Sequence, residues 1–301
     1  MMSDAVTGND AAHTIPAQPP AAGCPACGES GRTPGPVYNG WQLVRCTRCG
    51  LVLTETRDIP ESLYDDIYLS NNAYINMMEA SDRTAAGTWG YRELSWFKRT
   101  ALRWLESNAR GRRLVDVGCG PGTFLLVAKG RGWTVAGVEP TQGSAARADR
   151  HGLAVHCGVA ESFAEGHPGE FDAATCFEVL EHLTEPVETL RAIRRLLVPG
   201  GIFVLSVPNV DDPYCLKVQI QSAMPPVHIN FFHRKSLRAA LERAGFEVLR
   251  FRTIPIPTSS VRNHLGPTGF LVRIPWLLIR SAIGQADGTT LLAMARRGAD
   301  R

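Results

Sequence analysis

Residues 113–139 read RLVDVGCGPGTFLLVAKGRGWTVAGVE, and this stretch decides the fold. Leu114–Val117 is a short run of branched apolar residues around one aspartate, the pattern of a buried strand. GCGPG follows, a turn almost without side-chain bulk. TFLLVAKG then has the length and spacing of a short helix, and WTVAGVE returns to strand, ending in Glu139. Strand, glycine turn, helix and strand make a βαβ unit. A glycine turn there lets a ligand approach the backbone, and the first N–H groups of the helix have no partner within it.

The pattern continues on the C-terminal side. AVHCG (154–158), FDAATCF (171–177), IFVLSVPN (202–209), FEVLRFRTI (246–254) and GTTLLAMARR (288–297) read as strands. VETLRAIRRLLVPGG (187–201) reads as a helix with Val187, Leu190, Ile193 and Leu197 on one stripe, stopped by Gly200-Gly201. SLRAALERAGF (236–246) reads as a further helix. Alternation of strand and helix predicts an α/β sheet with helices on both faces. Ligands of such sheets bind at the carboxyl ends of the strands. The glycine turn, Glu139, the 158–162 loop and the stretch FEVLEH (177–182) therefore share one rim.

Asp116-x-Gly118-x-Gly120-x-Gly122 is not the G-x-G-x-x-G of a dinucleotide fold. It resembles motif I of the class I S-adenosylmethionine-dependent methyltransferases, with Glu139 as its acidic partner, and the resemblance runs from about Arg113 to Arg297. It implies a Rossmann-like seven-stranded methyltransferase sheet and S-adenosylmethionine as cofactor. By the same resemblance Asp116, Gly118, Cys119, Gly120, Gly122 and Glu139 meet the cofactor. Ala160 (through its backbone) and Glu161 stand on its adenine side, and Phe177 ends the strand beside it. An aspartate often seen in the 158–162 loop of the family is absent.

Glu178, Glu181 and His182 would share one face if FEVLEH started a helix. The order E-x-x-E-H resembles the ubiquinone-pathway O-methyltransferases. It also resembles the small-RNA 2′-O-methyltransferases, where this motif and a later histidine hold Mg²⁺. A later histidine is present: PPVHINFFHRKSL (225–237) contains His228 and, nearer the next helix, His233, expected as a cap or surface residue. Three readings stand for Glu178, Glu181, His182 and His228. They could hold Mg²⁺, Mn²⁺ or Zn²⁺. A histidine could act as general base, oriented by a carboxylate. The polar groups could also only satisfy backbone at a helix start.

Near the front, CPACG (24–28) and CTRCG (46–50) form C-x₂-C, eighteen residues, C-x₂-C. Two cysteines three apart chelate one metal from a tight turn, so Cys24, Cys27, Cys46 and Cys49 predict a zinc ribbon. Four thiolates leave no open coordination position, which favours a structural zinc over a catalytic one. The expected organisation is a disordered leader at 1–22, the ribbon at 23–55, a helical cap or linker at 56–110 and the methyltransferase domain at 111–301. Residues 91–106 show helical periodicity through Leu94, Phe97, Ala101 and Leu105. The stretch with Tyr64, Tyr68 and Tyr74, and an insert at 255–286 containing Arg262, Asn263 and His264, are candidates for closing the pocket. Residues 269–284 could form an amphipathic segment on a membrane.

Formal charge is +3, from 32 Lys+Arg against 29 Asp+Glu, and no basic, aromatic-interleaved stripe is present, which argues against a nucleic-acid partner. No signal-like or membrane-spanning segment is apparent, so a cytoplasmic protein is expected. The lone cysteines Cys119, Cys157, Cys176 and Cys215 read as small core residues. The functional expectation is a methyltransferase (a transferase) acting by O-methylation on a small hydroxylated metabolite, of sugar, polyketide or phenol type. The alternatives are an RNA methyltransferase, and a non-catalytic zinc-ribbon adaptor with a degenerate cofactor fold.

Overall fold

A computed structural model describes residues 23–38, 40–56, 72–211, 225–254 and 288–299, with 72–74 as backbone alone. Of the tyrosine-rich segment at 60–75, residues 60–71 lie outside the described residues, as do the insert at 255–286 and Cys215.

The strands are β1 (Arg32–Tyr38), β2 (Trp41–Cys46), β3 (Val52–Thr54), β4 (Arg113–Val117), β5 (Thr134–Glu139) and β6 (Ala154–Cys157). They continue with β7 (Phe171–Phe177), β8 (Leu197–Pro208), β9 (Asn230–Phe231), β10 (Phe246–Ile254) and β11 (Thr290–Arg297). The helices are α1 (Asn72–Ala85), α2 (Trp96–Asn108), α3 (Thr123–Gly130), α4 (Gln142–Arg150), α5 (Ala160–Gly166), α6 (Pro186–Leu196) and α7 (Arg234–Arg243).

Seven strands form one sheet in the order β10-β11-β8-β7-β4-β5-β6. β8, β7, β4, β5 and β6 are parallel, while β11 runs antiparallel between β8 and β10. The order reverses at β4, so the crevice of the switch point opens beyond the ends of β4 and β7, beside the glycine turn. The core lies on both faces. One apolar cluster joins Val115, Cys176, Leu190, Ile193, Leu205 and Leu241; the other joins Leu102, Leu105, Phe124, Ala173, Val204 and Leu292. The helix expected at 91–106 is α2, starting at Trp96 and packed against the second cluster through Ala101, Leu102, Trp104 and Leu105.

One expected boundary moves. The helix read as 187–201 ends at Leu196, and Leu197 opens β8 opposite Phe171. Val198 precedes Pro199, and a residue before proline is pushed out of the helical region. The chain turns extended one residue earlier still, with Leu197 at φ −79°, ψ 145°. The extra residues up to Gly201 enter as a bulge between the Phe171–Leu197 and Ala173–Ile202 pairs, where Gly200 takes φ 77°. Leu197 thus buries from a strand and not from the helical stripe.

The front sheet has the order β1-β2-β3-β9. Its last member comes from the far end of the chain: Val52 pairs with Phe231 and Leu53 with Asn230. Cys24, Ala26, Leu51 and Leu53 are buried in the same apolar cluster as Phe232, Leu237 and Ala240. The ribbon is therefore fused to the α/β body through a shared core.

Candidate active site

The glycine turn sits between β4 and α3 with Gly118, Gly120 and Gly122 at φ 72°, 56° and 82°. These are left-handed values that a side chain disfavours. A Cβ on Gly118 would also run into Val179 Cγ2, and one on Gly122 into Leu153 Cδ1. Over Gly120 the nearest group is the Met77 methyl, 3.6 Å from where a Cβ would stand, so that peptide faces open space. Helix α1 holds the turn from outside: Ser81 Oγ donates to the Pro121 carbonyl at 2.5 Å.

Glu139 is buried at the end of β5. Its two carboxylate oxygens accept from Gly120 N–H and Thr141 N–H, each at 2.9 Å. A carboxylate oxygen has more than one lone-pair direction, so both still have capacity for hydroxyl donors. Beside it opens a cleft of about 220 Å³, walled by Gly118, Val138, Pro140, Gly158, Val159, Ala160 and Glu161, and opposite by Val179, Leu183 and Thr189. Glu161 is fixed there by Thr189 Oγ1, which donates to it at 2.6 Å. An apolar slot with a carboxylate at one end and a helix start at the other could hold an adenosine group.

Other residues expected near the cofactor point elsewhere. Asp116 is buried and accepts from Thr175 Oγ1 at 2.7 Å; burial raises its pKa to about 6. The Cys119 thiol is turned toward the sheet, 2.7 Å from where a Cβ on Gly137 would stand, and burial pushes its pKa up. The Phe177 ring packs edge-on against Phe97 and Phe124, at centroid distances of 5.7 and 5.0 Å.

On the other side of Val179 the FEVLEH stretch divides. It does not start an α-helix: Leu180–His182 is a single 3₁₀ turn, and Glu178 precedes it at φ 56°. The shared helical face expected for Glu178, Glu181 and His182 is therefore absent. Glu178 turns to β8, where its carboxylate accepts from Ser206 Oγ at 2.6 Å and its N–H donates to the Ser206 carbonyl at 3.0 Å. Glu181, His182 and His228 come together instead, with one ligand atom of each within 4.8 Å of the others. Their rings and carboxylate are tightly set: the His182 and His228 centroids are 4.6 Å apart, and His182 Nε2 lies 4.0 Å from Glu181 Oε1.

The electrostatics of this cluster follow from burial. Glu181 is 1% exposed, and neither carboxylate oxygen has a hydrogen-bond partner among the described residues. Burial pushes its pKa well up, with Glu178 adding repulsion. Burial lowers His182 to about 4, partly offset by its bond to Val227, and lowers His228 to about 3, with His182 adding to the shift. An orphaned buried carboxylate beside two neutral imidazoles is an expensive arrangement unless something else binds there. His233 stands apart as the N-cap of α7: its Nδ1 accepts from the N–H groups of Lys235 and Ser236 at 3.1 and 3.2 Å.

With this geometry the comparisons can be read. A family described as "Methyltransferase domain" matches residues 88–250. The chain is a class I S-adenosylmethionine-dependent methyltransferase. Ubiquinone biosynthesis O-methyltransferase of Thiobacillus denitrificans is 38% identical over 116 residues, covering 36% of this chain and 50% of its own length. The enzyme of the same description from Ralstonia nicotianae is 36% identical over 126 residues, covering 39% and 53%. The chain thus spans about half the length of these curated relatives. Among solved structures, a SAM-dependent methyltransferase from Thermotoga maritima shares the fold, with TM-score 0.50 and 16% identity over 78% of this chain and 99% of that one.

The methyltransferase carries one residue at this site that the sequence reading missed. Lys98 on α2 is half-buried, with its Nζ 5.6 Å from the centre of the Phe177 ring. Burial lowers its pKa, while the charges of Asp116 and then Glu178 pull it back up, so this cation feels both carboxylates. The signal was available. Lys98 falls on the stripe Leu94, Phe97, Ala101, Leu105, where a charge demands a partner.

In the ribbon of the methyltransferase, Cys24, Cys27, Cys46 and Cys49 converge, with Sγ–Sγ separations of 3.6 Å (Cys24–Cys49) and 3.5 Å (Cys27–Cys46). A disulfide needs about 2.05 Å. Tetrahedral zinc with bonds of about 2.3 Å places its sulfurs about 3.8 Å apart. The four-cysteine cluster therefore fits zinc. Among the described residues no helix is long and apolar enough to cross a membrane.

Proposed function

We propose that this methyltransferase transfers a methyl group to a hydroxyl of a small metabolite, of sugar or natural-product type, and that Glu181, His182 and His228 form the acceptor side of its site. The observation that carries this reading is the Glu181 carboxylate, buried without a hydrogen bond among the described residues and facing two imidazoles, one wall away from the proposed cofactor cleft. The curated relatives named for O-methylation support it for the matched segment.

In this reading Glu139 takes the ribose hydroxyls, the N–H groups of the glycine turn and the start of α3 take the polar tail, and Ala160 and Glu161 border the adenine. The cofactor supplies an electrophilic methyl on a sulfonium. The chain supplies alignment, dryness and a proton acceptor. The Val227 carbonyl accepts from His182 Nδ1–H at 2.7 Å, which makes Nε2, 4.0 Å from Glu181 Oε1, the acceptor nitrogen of the ring. With the cofactor bound, the acceptor oxygen would take its methyl, and the electrons of the carbon–sulfur bond would stay with sulfur. The hydroxyl proton goes to His182 Nε2, beside Glu181.

Glu181, His182 and His228 are also a donor set for a divalent cation such as Mg²⁺, with Glu178 held apart by Ser206. Such an ion, when bound, would lower the pKa of the acceptor hydroxyl. In the ribbon the four cysteines would hold a structural zinc.

Methyl transfer from labelled S-adenosylmethionine to a panel of phenols, catechols and sugars tests the reading. Turnover of a hydroxylated acceptor that falls in His182→Gln supports it. Turnover confined to amines or RNA, or indifference to His182→Gln, would overturn it.

A further inference from the structure

We propose that Asn230 is a positioning residue which fixes the Glu181–His182–His228 cluster to the four-cysteine ribbon, so that order at the ribbon sets order at the acceptor side of the site. The inference rests on the reading of that cluster given above for its functional meaning, and on geometry alone for the coupling.

Asn230 is 1% exposed, and its side-chain amide donates to the carbonyls of Leu180 at 3.1 Å and Leu183 at 2.7 Å. These carbonyls bracket the 3₁₀ turn that carries Glu181 and His182. A three-residue 3₁₀ turn has poor internal bonding and needs outside donors to hold one shape. The backbone on either side of Asn230 completes the clamp. Ile229 N–H donates to the Glu181 carbonyl at 2.9 Å, and Val227 receives the His182 ring.

The other edge of the same segment belongs to the ribbon. Asn230 pairs with Leu53 in the β3–β9 ladder, and Thr54 N–H donates to the Ile229 carbonyl at 3.1 Å. β3 begins three residues after Cys49, whose position the metal would fix. Residues 229–231 are therefore a two-sided splice, with the ribbon on one edge and the turn of Glu181 and His182 on the other. An apolar residue at 230 would be easier to bury than an amide. Two satisfied donors aimed at the two ends of one turn argue that orientation is what the side chain supplies.

The test uses the full-length, zinc-loaded protein with S-adenosylhomocysteine as probe. In Asn230→Ala, amide exchange across 178–185 should quicken by about tenfold or more. The His182 ring N–H signal should be lost to solvent exchange in histidine-labelled protein. Zinc content should stay at one per chain, and S-adenosylhomocysteine affinity within about threefold of wild type. Wild type stripped of zinc should show the same quickening at 178–185. Unchanged exchange at 178–185 and an unchanged His182 signal in a folded Asn230→Ala protein would overturn the proposal. Should that variant not fold, stripped wild type decides: a ribbon that loosens while 178–185 stays protected refutes the coupling. None of these readouts needs turnover, so failure of the acceptor reading leaves its mark elsewhere, in His182→Gln.

Discussion

His182 Nδ1 lies 2.7 Å from the Val227 carbonyl oxygen, and this one bond fixes the tautomer, with Nδ1 protonated and Nε2 the acceptor nitrogen. His182→Gln is therefore expected to lower kcat by about 10²–10⁴-fold, the usual contribution of a positioned proton acceptor. Affinity for S-adenosylhomocysteine should barely move, because the cleft proposed for the cofactor lies on the other side of Val179. Labelled-methyl transfer and calorimetry on the same preparation separate the two effects.

Gly118 is where the glycine turn meets Val179, beside the cluster proposed as the acceptor side. Gly118→Ala places a methyl against Val179 at a φ of 72° that alanine disfavours. The expected outcome is loss of S-adenosylhomocysteine binding by at least about tenfold, together with a fall in thermal stability. Calorimetry and a melting curve check both, and Gly132→Ala, also at positive φ but with open space around it, controls for backbone strain alone.

Glu178 occupies the left-handed region, at a cost of about 1–2 kcal/mol for a residue with a side chain. Glu178→Gly should be at least as stable as Glu178→Ala, although glycine is ordinarily the more costly replacement. The two variants lose the same carboxylate, so the difference in their denaturation midpoints reports the backbone alone. A clearly less stable glycine variant would show that the turn is not strained.

His228 is held to a pKa of about 3 in the folded protein, below the ordinary value near 6.5 for an unfolded chain. Between these values the unfolded state binds the proton and the folded state does not. Stability from a neutral His228 is thus complete above about pH 6.5 and is lost as pH falls, by about 1.4 kcal/mol per pH unit. The raised carboxylates Glu181 and Asp116 act in the opposite direction over the acidic range. Comparison with His228→Asn isolates the histidine: the variant should gain on wild type by about 1–2 kcal/mol between pH 7 and pH 5, in buffer without divalent cations. A constant difference between the two across that range would contradict the buried, neutral imidazole.

Lys98 feels the charges of both Asp116 and Glu178. Lys98→Met removes the cation and leaves both carboxylates without it, so the pKa of Asp116 should rise above about 6. The melting temperature should fall by several degrees, as for a loss of about 1–2 kcal/mol. Carboxyl titration by NMR and a melting curve are the measurements.

The sheet was readable from the chain because its signals are local. Apolar runs of strand length, the glycine turn and Glu139 each announce themselves within a few residues, and their order then dictates the parallel arrangement. The four cysteines were equally legible, since chelation works at fixed spacing. Three things were not. The end of α6 was misplaced because Gly200 and Gly201 looked like a helix stop, while the break comes earlier, just before Val198-Pro199. The FEVLEH stretch looked like a helix start because its spacing fits one, yet the tertiary bonds of Glu178 to Ser206 and of Asn230 to Leu180 pull it into a single tight turn. The pairing of β3 with β9 has no local signal, because its partners are far apart in the chain.

That last pairing has a consequence for how the protein is made. Leu53 meets Asn230, about 180 residues later. On the ribosome β3 emerges well before β9, so the outer edge of the ribbon's sheet must wait on the order of ten seconds or more for its last strand. Over that interval the edge of β3 is an unpaired template for any extended segment nearby. The ribbon is made well before the strand that closes its outer edge.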